Sequence, residues 1–443
     1  MVEYISEHQL AAGITQEPWG LARNELQQAA ETGHDVTVFR ERLAALTQRD
    51  DAELTELYAD IVGATPPASW PHCEASDLET IVGTLPPAPK IAEVNNLDDR
   101  IRGAWLGRVI GNMMGKPAEI GPTRATIRAY LEQVGEYPLR GYIPGTGDTD
   151  LLGHPAEHFK FPDAMRENID GQVRDDDVDF TILGLHLLET YGTEYTRRDV
   201  AREWLSRIPA YQVFTAERAT YQNLIREIPI DRVGDHHNPY REWIGALIRA
   251  DIFGYVAAGD PRRAALLAYE DASLSHRANG IYGAMWAAAL VASAFTARTA
   301  EESITLALTS VPATSRLAIA IQHVLHDWRS ALTWDEAMDR IESRTAGMYW
   351  VHTINNSAAL TAALLWGEDD FATTVGLAVQ AGMDTDSIGA TAGSWAGARA
   401  GAANLPAHLV EPLHDLSRSA VFGYGDASIT GYAARTLALI SSL

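Results

Sequence analysis

The chain has 443 residues, with 35 Lys and Arg against 59 Asp and Glu, a net charge of −24, and a hydrophobic content of 46%. Such a length and content suit a globular protein with a sizeable core, and the acidic balance argues against a nucleic-acid backbone as the main partner, because phosphate binding needs concentrated positive charge. Cys73 is the single cysteine, which excludes an intramolecular disulfide and any cysteine-built zinc or iron–sulfur centre.

The opening Met1–Glu7 has neither the basic region nor the apolar run of a secretory leader, and the cytoplasm is the expected compartment. Residues 1–90 read as a helical extension, with short amphipathic helices over Val36–Leu46 and Asp51–Val62. Pro66-Pro67 and Pro86-Pro87-Ala88-Pro89 interrupt it, since proline lacks an amide donor and restricts its predecessor. Residues 97–443 read as a catalytic body in which apolar positions recur at the helical period, over Asp177–Tyr191, Arg241–Ala258, Ser275–Ala297, Ala313–Trp328 and Val351–Trp366. Helix starts are signalled at Thr196–Asp199, Asp260-Pro261 and Thr333–Glu336. No series of alternating strands is evident, so the expected class is all-α. The most apolar run, Ile281–Phe295, is about 15 residues long, short for a membrane span, and reads as a buried helix with no membrane partner.

Early in the body, Gly103, Gly107, Gly111 and Gly115 recur every four residues. This spacing makes one smooth helical stripe on which another helix can lie close. The helix is expected to end near Gly115, before Pro117, leaving Glu119 just past its end and able to reach a pocket.

Three acidic constellations follow: Asp148 and Asp150 in a Gly-rich turn, Asp175, Asp176, Asp177 and Asp179 at the start of an apolar helix, and Asp384, Asp386 and Ser387 at the start of a Gly- and Ala-rich one. A helix N-terminus stabilises an acid, so a capping role accounts for one carboxylate at each place. Adjacent carboxylates repel unless a cation holds them, which an arginine or a metal can do. Hard oxygen donors without paired histidines favour Mg²⁺ or Mn²⁺ over zinc. His236-His237 lies in an expected loop and reads as a surface pair or one standing just behind the site. His276 and Asn279 stand before an apolar helix, where they face a cavity or serve as satisfied structural groups. Val351–Asn356 places polar groups at another helix start, and Arg241, Arg249 and Asp251 call for ion-pair partners because buried charges pair.

Taken together, Asp99–Gly103 through Gly115–Glu119, the acids at 175–181, Ser275-His276 with Asn279-Gly280, and Gly382–Ser387 make residues 97–401 resemble the ADP-ribosylglycohydrolase family, which includes the dinitrogenase-reductase-activating glycohydrolases. The resemblance implies a compact orthogonal multi-helix bundle with two magnesium ions in a central cleft. By position, Asp176 and Asp177 match the acids of the family's Thr-Asp-Asp-Thr motif, Asp384, Asp386 and Ser387 match its Asp-x-Asp-Thr motif, and Glu119 matches a glutamate at the site. Asp175 and Val178 stand where the family has threonines, Ser387 replaces a threonine, and Asn112 replaces a common Asp. The implied metal ligands are Asp175, Asp176, Asp177, Asp384, Asp386 and Ser387, with Glu119 and Asp177 as catalytic groups and Asp148, Asp150, His276 and Asn279 toward the substrate. The implied activity is Mg²⁺-dependent cleavage of a ribosyl glycosidic bond of a small or protein-linked ADP-ribosyl adduct. An N-ribosyl hydrolase of a small nucleoside or nucleotide, and a catalytically weak nucleotide-binding protein, stay open beside it, as does the oligomeric state.

Overall fold

The computed structural model describes residues 17–91, 93–146, 159 and 161–443. Asp148 and Asp150 lie outside the described residues.

The first helices, α1 (Pro18–Glu31), α2 (Thr37–Ala44) and α3 (Asp51–Gly63), enclose a small apolar cluster of their own around Leu26, Leu54, Leu57 and Ile61. The next, α4 (Leu78–Thr84), instead contributes Ile81 to the main core. The body continues with α5 (Leu97–Gly115), α6 (Arg124–Gln133), α7 (Asp176–Tyr191), α8 (Arg197–Arg207) and α9 (Thr215–Ile225). It then runs through α10 (Asp251–Val256), α11 (Pro261–Ala272), α12 (Asn279–Ala294), α13 (Ala300–Leu308) and α14 (Arg316–Arg329). It closes with α15 (Trp334–Arg344), α16 (Thr353–Trp366), α17 (Phe371–Gln380), α18 (Thr385–Ala400), α19 (Ala407–Val410) and α20 (Ile429–Ser442). The class is all-α, and the strands among the described residues are one short antiparallel pair, β1 (Leu416–Arg418) and β2 (Asp426–Ser428).

At the centre, α12 is buried along its whole length, as its unbroken run of small and apolar residues requires. No helix among the described residues is long and apolar enough to cross a membrane. The glycine stripe of α5 meets a second stripe, Gly389, Gly393 and Gly397, on the antiparallel α18. Gly103 faces Gly397, Gly107 faces Gly393 and Gly111 faces Gly389. A Cβ added to Gly389 would lie 2.6 Å from the Gly111 carbonyl oxygen, closer than any real Cβ approaches, so these two backbones touch only because side chains are missing. The antiparallel register brings the C-terminal end of α5 to the N-terminal end of α18, where Thr385 Oγ1 donates to the Gly115 carbonyl at 2.8 Å.

Several expected starts hold. Thr196 and Thr333 each form a reciprocal capping box, and Asp260 caps α11 by accepting from the Arg263 amide at 3.1 Å. The expected continuous helix over Arg241–Ala258 does not form. Trp243 is extended and bridges to His352, the Ile244 amide donates to the Val351 carbonyl, and only a 3-10 turn and the short α10 follow. Competing backbone partners on the segment that leads into α16, Val351 and His352, thus replace the first helical bonds. The helix expected from Ser275 begins at Asn279, because Ala278 takes φ 46° and cannot extend it backwards.

The N-terminal helices are fastened to the rest of the chain by buried polar contacts. Glu25 pairs with both terminal nitrogens of Arg241, Gln28 donates to Glu242 at 2.9 Å, and Arg316 donates to Glu74, to Glu242 and to the Glu31 carbonyl. Burial would raise Glu242, but the Arg316 guanidinium and the neighbouring His352 outweigh it and hold its carboxyl down at about 2. The expected ion pairs of the other charged groups are present: Arg249 with Glu217 and Asp271, and Asp251 with Arg108 at 2.6 Å.

Candidate metal centre

The meeting of α5 with α18 decides where the acids go. Just past the glycine stripe, a 3-10 turn over Lys116–Ala118 ends at Glu119, the less buried acid of the group, and sets its side chain beside the start of α18. There Asp384 occupies the N-cap position without a side-chain capping bond, and Asp386 follows in the first turn. The start of α7 approaches the same point, with Asp175 as its N-cap and Asp177 in its first turn.

Two groups of carboxylates result. Glu119, Asp384 and Asp386 place oxygens within 4.8 Å of one another, and so do Asp175, Asp177 and Asp386. Asp386 belongs to both. The two helix starts singled out as acidic, roughly two hundred positions apart, therefore face each other. Asp176 is half-buried and falls in neither group, and Val178 points into the hydrophobic core. Ser387 is buried against the other two α18 groups: its amide donates to Asp386 at 3.1 Å and its hydroxyl bonds Asp384. Asp179, the last acid of its constellation, faces away and is satisfied by Arg174, Ser419 and the Ala420 amide.

Lys116 lies among these acids. Its amine is 2.6 Å from Glu119, 2.9 Å from Asp175 and 3.0 Å from Asp386, and it stacks over the Phe161 ring at 4.7 Å. Burial would lower the amine's pKa, but the charges of Asp175, Asp386 and Glu119 outweigh it, so the ammonium persists. For Asp175, burial acts upward, and the Lys116 charge with hydrogen bonds from Asp176 and Asn112 overcomes it, leaving the carboxyl below its ordinary range. The other acids go the opposite way. Burial and the Glu119 charge push Asp384 up to about 7 and raise Asp386 well above the usual carboxylate range. Burial, then Asp175 and Asp384, raise Asp177. Asp176 rises by burial and by its neighbours Asp175 and Asp177. Carboxylates held this close and this dry resist ionising together unless a cation joins them.

The neighbouring side chains fix the acids in place. Arg108, fully buried on α5, donates to the Asp177 carbonyl at 2.8 Å and to the Ile248 carbonyl while pairing with Asp251. Asn356 on α16 accepts from the Asp384 amide at 3.1 Å and donates to the Trp350 and His352 carbonyls. The turn entering Asp384 runs through Gly382 and Met383, both at positive φ, an uncommon backbone for a methionine. Asp177 Oδ1 is buried and has no hydrogen-bond partner among the described residues. A hard cation suits that unpartnered oxygen and the all-oxygen donor set, so the residues present fit a magnesium- or manganese-like ion.

The structure does not bring His276 and Asn279 to these acids. His276 is fully buried against Ser275, in the network of Arg249 and Glu217, and burial with the Arg249 and Arg277 charges holds it neutral. Asn279 donates to Glu242 and accepts from the Leu317 amide, so both ends of its amide are engaged between extension and body. His236 and His237 stack on each other in a turn, with His237 edge-on to Tyr58 of α3.

Sequence reasoning passed over Lys116, Arg108 and Asn356 as site residues. Lys116 carried a readable signal, a lone charge closing an apolar, glycine-striped helix three residues before an acid. Asn356 carried none beyond its place at a helix start.

The family model for ADP-ribosylglycohydrolase matches residues 93–440. A solved structure described as an ADP-ribosylglycohydrolase-related protein complex is similar in fold, with a TM-score of 0.52 and 21% identity over 78% of this chain and 98% of that one. No curated protein matches. All the acids that converge here fall within the matched segment, whereas the first four helices fall outside it, and the chain belongs to the ADP-ribosylglycohydrolase family, glycosyl hydrolases whose chemistry is the breaking of ADP-ribosyl bonds.

Proposed function

We propose that the chain hydrolyses the ribosyl glycosidic bond of an ADP-ribosyl adduct, small or protein-linked, with the help of Mg²⁺ or Mn²⁺. The observation that carries this is Asp386, shared by two acid groups beside an unpartnered, buried Asp177 oxygen. Asp175, Asp177, Asp384 and Asp386 would hold the metal. A bound divalent ion supplies an acidified water and an anchor for sugar hydroxyls.

The chain's own residues supply the rest. Asp175, Asp177 and Asp386 would lend negative charge to a ribose ring that becomes positive as its bond breaks. Glu119 is the most exposed of these acids, at 19% of its side chain, so it stands where it can pass a proton to or from water and leaving group. Lys116 keeps Glu119, Asp175 and Asp386 in register, and Arg108 and Asn356 hold the backbones that present Asp177 and Asp384. Ser387 steadies Asp384 and Asp386. We read residues 1–90 as an added extension, because the family match begins at residue 93, and its described part, from residue 17, as a brace on the body.

The test is turnover of an ADP-ribosylated peptide with the product identified by mass. Free ADP-ribose, lost in Asp384→Ala and Asp386→Ala while helical content persists, supports the proposal. Release of a base plus ribose phosphate from a nucleotide instead favours an N-ribosyl hydrolase, and full activity in Asp386→Ala removes the site from the chemistry.

A further inference from the structure

We infer that Arg218, at the rim of the acid centre, binds a phosphate of the substrate; this rests on the ADP-ribosyl reading above.

A nucleotide-bearing substrate brings negative charge to a chain of net charge −24 and to a centre built of carboxylates. It needs a cation nearby that the acids have not already neutralised. Three of the cations around the acids are taken. Lys116 bonds Glu119, Asp175 and Asp386, Arg108 pairs with Asp251, and Arg174 pairs with Asp179. Arg218, near the start of α9, is not. Its Nε donates to the Val213 carbonyl at 2.8 Å, its Nη2 reaches the Tyr211 carbonyl at 3.4 Å, and no carboxylate pairs with it among the described residues.

Its place follows from the segment that it holds. Arg174, next to Asp175, donates to the Gln212 carbonyl at 2.7 Å, and Arg218 donates to the carbonyl of the following residue. One short segment leading into α9 thus ties Arg218 to the start of α7. The guanidinium lies over the Phe214 ring at 5.2 Å, and Phe214 is 45% exposed, so the segment faces solvent. Burial pushes Arg218 below the ordinary arginine range, and nearby Tyr240 and Asp176 oppose that shift without cancelling it. Asp176 is the half-buried acid of α7 that belongs to neither acid group, so Arg218 stands beside the centre without entering it. The Tyr240 hydroxyl accepts from Asn24 of α1 at 3.0 Å, which brings the extension to the same rim. A guanidinium partly withdrawn from water, with no anion of its own, is suited to phosphate, whose oxygens match its planar fork of donors.

Calorimetric titration of the full chain with ADP-ribose, in the presence of Mn²⁺, tests this. Arg218→Gln removes the charge and keeps a donor for the loop. It is expected to weaken ADP-ribose at least about tenfold, the loss of a charge-assisted hydrogen bond, while Mn²⁺ binding persists. Arg218→Lys is expected to recover part of the affinity. Added salt is expected to weaken the wild-type chain more steeply than Arg218→Gln, a difference that a merely structural arginine does not produce. Unchanged affinity in folded Arg218→Gln, equal salt dependence, loss of Mn²⁺ together with ADP-ribose, or no ADP-ribose binding by the wild-type chain would each overturn the inference. Arg218→Ala takes the place of Arg218→Gln if the latter does not fold. Release of ADP-ribose from an ADP-ribosylated peptide separates the two readings: binding that depends on Arg218 without release fails the proposed function alone, and release by a chain whose affinity ignores Arg218→Gln fails this inference alone.

Discussion

Gly389 of α18 and Gly111 of α5 meet backbone to backbone, and a Cβ on Gly389 would stand 2.6 Å from the Gly111 carbonyl oxygen. That contact sets the distance between the two helices, and with it the distance from Glu119 and Lys116 to Asp384 and Asp386. Gly389→Ala should separate the helices and destabilise the fold by about 3 kcal/mol, the upper part of the usual range for overpacking. Urea unfolding gives the stability, and Mn²⁺ affinity, which should fall in the same variant, reports the displaced acids.

Asn356 is the only side chain seen to accept from the Asp384 amide among the described residues. Replacing it by Ala leaves that buried amide without an acceptor, at a cost of about 1–3 kcal/mol. Groups that orient metal ligands affect binding strongly, so Asn356→Ala should weaken Mn²⁺ by roughly 10–100-fold. Titration calorimetry with Mn²⁺ checks this, and unchanged affinity would remove Asn356 from the positioning of Asp384.

The acids also set a pH dependence. Asp384 titrates at about 7 in the folded, metal-free chain against 3.8 for an ordinary Asp, and Asp177 and Asp386 shift in the same direction. Between those values the folded chain keeps protons that the unfolded chain releases. Stability contributed by these groups is thus full below the unfolded value and is lost as pH rises through the folded one. The metal-free chain should melt at progressively lower temperature from pH 5 to 8. Added Mn²⁺, which competes with those protons, should bind more tightly over the same interval and flatten the decline. Calorimetric melting with and without metal reads both.

Much of this architecture is legible in the sequence. Asp175–Asp177 and Asp384–Asp386 stand out because consecutive carboxylates exceed what capping needs, and Gly103–Gly115 advertise a close helix contact. The partner stripe at Gly389, Gly393 and Gly397 is equally regular, but its pairing with α5 is a long-range fact that local spacing does not contain. Lys116 and its neighbour Glu119 are visible at the end of that helix, but the other two partners of the lysine, Asp175 and Asp386, come from distant segments that local spacing does not join to it. For His276 and Asn279 the sequence leaves two readings open, because a polar residue before an apolar helix looks the same whether it faces a cavity or a buried ionic network. The Arg241–Ala258 segment has helical periodicity, yet tertiary backbone pairing to Val351 and His352 overrides it at Trp243 and Ile244.

Extension and body are joined by a network whose hub is Arg316, bonded to Glu74, Glu242 and the Glu31 carbonyl. Arg316→Ala leaves the buried Glu242 without its main counter-charge, and breaking such a pair costs about 3–5 kcal/mol. The variant should become sensitive to limited proteolysis within residues 17–91 before the body is cut. A digestion pattern identical to that of the wild type would show that the apolar contacts of the extension suffice.

The central claim is that the starts of α7 and α18 share a metal ion. An anomalous difference map from a crystal soaked in Mn²⁺ tests it most directly. The account predicts a peak bonded to Asp386 together with carboxylates of Asp175 and Asp177, at about 2.0–2.2 Å as hard oxygen ligands require. Manganese bound elsewhere, or no peak between these acids in a crystal that Mn²⁺ has entered, would contradict it.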